Sequence, residues 1–215
     1  MSSSDRPKRV RKNPEARRAE IVATAARIAL AEGLECITMR RVAEELDVRP
    51  GLISHYFPVA EELVAEAFGA AASGELAELL PAADAALPAV RRLARFLGRT
   101  EGPRYDELSR LWLNARHLSR FRPALRERVG RQEAHWREAL TALLADGVAA
   151  GEFRTPDAHV TAVQLLVVLD GLGAHANTDR TGRPGAVTGM AHALAERELG
   201  LPAGALGSPH RPHHR

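Results

Sequence analysis

The chain has 215 residues, 45% hydrophobic and 27% charged, with a formal net charge of +3. That length suits one large core or a small domain joined to a larger one. A single cysteine, Cys36, excludes an internal disulfide, and no unbroken apolar run approaches the roughly 18–20 residues of a membrane span. The charge is uneven: residues 1–60 hold 11 Lys+Arg against 8 Asp+Glu, while residues 61–215 hold 19 of each.

Residues 1–12 are polar, basic and aperiodic, and are expected to form a disordered arm. Such an arm suits phosphate contacts, and its plain alternative is a solvated, solubilising tail. The N-terminal stretch has no apolar segment of the kind a signal peptide needs, so the expected compartment is the cytoplasm. Asn13-Pro14-Glu15 opens a first helix, with Asn as cap, Pro in the first turn and an acid at the positive end. Ile21, Ala25, Ile28 and Ala29 mark its buried face, and Gly33 ends it with Leu34 as apolar partner. Cys36 is expected to be a small buried residue, with a redox role as the lesser reading.

The stretch Thr38 to Phe57, TMRRVAEELDVRPGLISHYF, holds two short helical patterns. Thr38 is a natural N-cap, and Met39, Val42, Ala43 and Leu46 recur at helical spacing. The pattern breaks at Asp47-Val48-Arg49, and Pro50 opens a second helix with Ile53 and Phe57 on one side. Two short helices joined by a tight turn form a helix-turn-helix unit, whose second helix can enter a DNA major groove.

A fourth helix from Pro58 to about Leu80 links this head to the rest, and Pro81 and Pro88 bracket a linker. A helix over about 88–99 carries Val90, Leu93 and Leu97, and one after Gly102-Pro103 carries Leu108, Leu111, Trp112 and Ala115. A long helix over about 123–150 has a stripe of Val129, Trp136, Leu140, Leu143, Leu144 and Val148. Asp157 opens a helix in which Leu165 to Leu169 is apolar without a break, which demands cover on both sides. A last helix spans about 186–199, and the Gly/Pro/His-rich tail beyond it is expected to be disordered. The reading is all-α, about nine helices: arm 1–12, helix-turn-helix head 13–58, helical body 59–200 and tail 201–215.

The run VRPGLISHYF resembles the recognition-helix signature of the TetR family of transcriptional regulators, and GLISHYF resembles its BetI-type branch. Pro58 and Glu61-Glu62-Leu63 resemble the start of that family's fourth helix, so the resemblance covers about residues 14–65. It implies a repressor that binds a palindromic operator in double-stranded DNA as a homodimer and is released by a small-molecule inducer. It puts Thr38 at a phosphate and the Gly51 backbone near base edges, where a side chain would obstruct. Leu52 and His55 fall at outward positions, suited to a thymine methyl and a base acceptor or phosphate. Ser54 and Tyr56 suit phosphate or local packing, and Arg40, Arg41 and Arg49 suit phosphates that set register. The plain alternative for each is an ordinary exposed helix residue. Arg49 stands where members often have a capping Ser or Thr, and Ala60 where they often have a phosphate-binding Lys.

The same resemblance puts a two-fold interface on the last two helices, for which Val163, Leu166, Gly171, Gly173 and Leu194 are candidates. Phe96, Trp112 and Trp136 are candidates to line a ligand cavity, with Asn114, His117 and Gln164 as polar points. The plain reading of both tryptophans is core. BetI-like members respond to choline-type cations, which Trp faces suit, although two Trp and two Tyr are few for a full aromatic cage. No cofactor is expected. His210, His213 and His214 are interrupted by Pro and are not expected to form a metal site. No G-x-S-x-G, phosphate-cradling Gly loop or H-E-x-x-H is present, which argues against an enzyme. The alternative function is a helical ligand-binding or adaptor protein that no longer binds DNA.

Overall fold

The computed structural model describes residues 13–178 and 184–207. The expected arm 1–12 and the histidines of the tail lie outside them. Ten α-helices and no strand occur among the described residues. Helix α1, Pro14–Glu32, starts as its residues dictate: the Asn13 side chain accepts from the Glu15 amide at 3.0 Å. Gly33 ends it at φ 101, a conformation only glycine adopts without strain. A 3-10 turn, Leu34–Cys36, buries Leu34 and leaves Cys36 exposed. The expected burial of Cys36 fails because the turn spends its apolar contact on Leu34.

Helices α2 (Met39–Glu45) and α3 (Pro50–Tyr56) form the helix-turn-helix. The Thr38 hydroxyl accepts from the Arg41 amide at 3.0 Å. The turn is a Schellman closure: Val48 N donates to Ala43 O at 3.0 Å and Asp47 N to Glu44 O at 3.2 Å. Asp47 takes the left-handed conformation there, at φ 51, a place more often given to glycine. Ile21, Ala25, Val42, Ala43, Ile53 and Phe57 close the head's core.

Helix α4, Ala60–Leu79, lies against α1 on the head side and against the long α7, Pro123–Ala149, in the body. The linker holds a 3-10 turn, Ala82–Asp84, whose buried Asp84 carboxylate pairs with Arg95 and Arg99. Helices α5 (Ala89–Arg99) and α6 (Pro103–Ser119) follow. The α7 stripe departs from expectation at its end. Val148 is exposed and Gly147 is inward, where an added Cβ would sit 2.2 Å from the Phe153 ring.

Helix α8, Ala158–Thr178, packs on α6, α7 and the last helix. Asp157 caps it, accepting from the His159 and Val160 amides at 2.8 and 3.0 Å. By length and composition alone α8 could cross a membrane. Its Ala162, Leu165 and Leu169 are instead part of the shared core. The expected final helix divides at Gly189 into α9 (Gly185–Thr188) and α10 (Met190–Glu198). The first part of the tail is held in place: Glu196 accepts from the Gly204 and Leu206 amides at 2.9 and 3.0 Å, and Leu206 is buried.

Candidate DNA-binding and ligand sites

On the head, Thr38, Arg40, Arg49, Gly51, Ser54 and His55 are exposed. Leu52 and Tyr56 are half-buried, and Tyr56 packs against the core with its ring edge-on to His55, centroids 5.3 Å apart. Leu52 is therefore less outward than its position implied. Gly51 has nothing within 4 Å of where a Cβ would stand and no positive φ, so nothing inside the chain requires glycine there. The Ser54 hydroxyl is 3.4 Å from Pro50 O.

The arginines divide into two kinds. Arg41 is tied inward: its guanidinium donates to Glu32 at 2.6 Å and to Glu45 at 2.8 Å, which holds α2 on the end of α1. It is a structural clamp rather than a ready phosphate contact. Arg40 pairs with Glu44 on its own helix at 2.8 Å, and its side chain is 84% exposed. Such a pair exchanges readily for a phosphate, because exposed ion pairs contribute little. Arg49 precedes Pro50 and makes no capping bond, as expected from its departure from Ser or Thr. Arg18 pairs with Glu66 and lies over the Phe57 ring at 4.6 Å, which fastens α1 and α3 to α4.

In the body, α4 to α8 enclose a cavity of about 180 Å³. Phe96, Trp112 and Trp136 all stand on its wall. Each tryptophan is only 7% exposed, so both are core and cavity wall at once. Trp112 meets Phe68 edge-on at 5.1 Å and carries the Arg116 guanidinium over its ring at 5.1 Å. Trp136 leans on Phe96, centroids 6.1 Å apart.

The three polar candidates are elsewhere. His117 is exposed beside Phe121. Gln164 sits in an outer groove with Val160, Val163, Val167 and Leu194. Asn114 faces the head: its Oδ1 accepts from Leu34 N at 2.9 Å, and its Nδ2 donates to both Glu35 carboxylate oxygens at 2.8 and 2.9 Å. Sequence spacing places Asn114 near Trp112 and Arg116, but two residues along a helix turn the side chain to another face.

The polar groups that do line the cavity were not among the expected ones. They include Glu75, Tyr105, Arg116, Glu133, Arg137 and Asp170. Arg116 donates to Glu133 at 3.0 Å and to Asp170 at 2.8 Å. Glu75 is buried and accepts from Trp112 Nε1 at 2.6 Å. Burial pushes its carboxyl up to about 7 against the Trp112 bond, and Asp170 and Glu78 push the same way as burial. A signal was present: Phe68, Ala71, Ala72, Glu75 and Leu79 share one helical stripe, so an acid stands where α4 is otherwise apolar.

The interface candidates also separate. Val163, Leu166 and Leu194 are half-buried, and Gly171 is exposed with open space beside it. Gly173 is buried within the protomer, where an added Cβ would lie 2.6 Å from Ser109 Oγ. It serves the α8–α6 crossing and not an outer face, so the small-residue argument for it pointed to the wrong neighbour. The apolar run of α8 splits: Leu165 and Leu169 go inward, while Val167 is 63% exposed.

The fold is shared with solved structures. A transcriptional regulator of Saccharomonospora viridis in complex with choline is 22% identical, with a TM-score of 0.69 over 85% of this chain and 95% of that one. A transcriptional regulator of Pseudomonas aeruginosa PAO1 is 23% identical, with a TM-score of 0.68 over 91% and 95%. The multidrug-binding protein EbrR, complexed with proflavin, is 27% identical, with a TM-score of 0.62 over 85% and 99%. No curated protein matches. The family models settle what the fold leaves open. Residues 21–67 match the bacterial regulatory proteins of the tetR family, and residues 89–200 match the C-terminal part of BetI-type transcriptional repressors. With a helix-turn-helix head of one and a cavity-bearing body of the other, the chain belongs to the TetR family of transcriptional regulators, in its BetI-type branch.

Proposed function

We propose that this cytoplasmic protein is a dimeric operator-binding repressor whose release is driven by a small organic cation held between α4, α5, α6, α7 and α8. The observation that carries the cation is the pairing of two tryptophans and Phe96 with a buried acid on one cavity wall. Aromatic faces attract a cation, and a carboxylate beside them supplies the opposite charge. Two structural neighbours hold cations, choline in one and proflavin in the other. The cavity volume of about 180 Å³ is small beside the roughly 300–1,000 Å³ of sites for drug-sized ligands, which favours a compact ligand such as choline over a three-ring dye.

At the other end, Arg40 and Arg49 face solvent together with Ser54 and His55, which suits phosphate contacts for the arginines and a base contact for His55. The groove of exposed Val160 and Val167 with half-buried Leu194 is the surface that a second copy covers, and two heads about one DNA turn apart then read a palindrome. Helix α6 joins the two ends. Trp112 and Arg116 face the cavity, and Asn114 holds the Gly33–Cys36 turn that leads directly to Thr38. A ligand that reseats α6 therefore moves the start of α2.

The test is an operator titration with and without choline. A coupling of about 1–3 kcal/mol gives roughly 5–150-fold weaker operator binding at saturation. Unchanged operator affinity at saturating choline removes choline-driven release.

A further inference from the structure

Three acids line the cavity, and their partners differ. Glu133 and Asp170 share the Arg116 guanidinium. Glu75 is 5% exposed, forms no ion pair among the described residues, and accepts a hydrogen bond from the neutral Trp112 indole. The other buried acids of the body are accounted for by the fold itself: Asp84 holds two arginines, and Glu196 holds two tail amides. Among the described residues, Glu75 alone is a buried acid that has no ion-pair partner and lines the cavity.

A buried carboxylate with no cationic partner is costly to keep ionised, so the empty site favours the neutral acid. A bound cation reverses the balance, since it supplies the missing charge at short range. We infer that the cavity takes its organic cation in exchange for the proton on the Glu75 carboxyl, so that ligand sensing by this regulator is proton-linked. The inference rests on the reading of the cavity as a cation site. In the exchange, the carboxyl O–H bond breaks, its electron pair stays on the carboxylate, and the proton passes to solvent. The site is neutral before and after, so no net charge is buried.

The surroundings agree. On α4 itself the nearest acid is Glu78, and from α8 comes Asp170; both disfavour a charged Glu75. From α6, Arg116 favours the charge but is already committed to its two acids, and the Tyr105 phenol is held neutral by burial. From α7 come Glu133 and Arg137, and α5 contributes the uncharged Phe96 and Thr100. With Glu75 titrating near 7, the sign is fixed. Below that pH a cation must expel the proton and binds more weakly; above it the carboxylate is already free and affinity levels off.

The experiment is calorimetry of the full-length dimer with choline, at about pH 6 and pH 8, in buffers of different ionisation enthalpy. About one proton is released per choline at the lower pH and few at the higher, and binding is about tenfold tighter at the higher. Glu75→Gln should bind weakly at both, with no proton release and no pH dependence. Tryptophan fluorescence of the ligand-free protein should titrate near 7 in the parent chain and not in Glu75→Gln. Choline binding without proton release at the lower pH, or with an unchanged pH profile in Glu75→Gln, overturns the exchange and leaves the cation site standing. If neither choline nor proflavin binds while the fluorescence titration persists, the cation site falls and the exchange with it. The buffer comparison on the unmodified chain decides the matter even if the variant fails to fold.

Discussion

In the head, Ile21, Ala25, Val42, Ala43, Ile53 and Phe57 are each at most 1% exposed, and Thr24 is the one polar side chain buried among its described residues. In the body, Glu75, Asp84, Ser109, Gln132, Thr161, His192 and Glu196 are all buried, and a cavity lies among the helices. The head keeps its charges outside its core, in pairs such as Arg40 with Glu44. A dry apolar core of this kind has one good packing, which suits a part that must present α3 in a single orientation. Buried polar groups beside a void admit more than one arrangement, which suits a part that must answer a ligand. Rigidity and responsiveness are thus divided between the two ends of α4 and joined through α6.

The largest effect should come from breaking the rigid side. Phe57→Ala removes the buried ring at the end of α3 that lies under Arg18 of α1, and should cost about 3–5 kcal/mol in denaturant unfolding and abolish operator binding. A protein that keeps its operator affinity would show that the head tolerates voids as the body does. Next is the responsive side. Glu75 titrates near 7 when folded against an ordinary value of 4.5, so the folded chain binds the extra proton between them. Parent stability should therefore fall by about 3 kcal/mol as pH rises through that window. Unfolding curves of Glu75→Gln should lose that component, and identical pH profiles would place the burial cost elsewhere.

His55→Ala tests the outward face of the rigid part. It should relax base preference by about 1–3 kcal/mol in a site-selection assay while leaving the melting temperature nearly unchanged. Unaltered site selection would remove His55 from the readout. The smallest effect probes the joint. Asn114→Ala removes the bonds to Leu34 and Glu35, and should lower the coupling between choline and operator by about 1 kcal/mol. The ratio of operator Kd with and without choline measures it, and an unchanged ratio means that the signal reaches the head by another route.

What could be read from the residues was local. Asn13, Thr38 and Asp157 cap helices with their own side chains, and Pro14, Pro50 and Pro123 start helices, because these effects need only a few neighbouring residues. The helix-turn-helix was legible for the same reason, and so was the number of helices to within the break at Gly189. The aromatic wall was legible in part, since Phe96, Trp112 and Trp136 lie on inward stripes.

Local chemistry along the chain thus set where helices begin, which faces are apolar and that a helix-turn-helix follows a basic stretch over residues 1–12. What meets each face depends on residues distant in the chain. Periodicity reports that Glu75 lies on a buried stripe, but not that a cavity faces it. It reports that Gly173 permits close approach, but not that Ser109 of the same chain takes the space. It puts Asn114 beside the cavity residues in order, yet the helix turns it onto the head. The physical reason is that a helix fixes the direction of a side chain within about one turn, whereas the neighbour in that direction comes from residues tens of positions away.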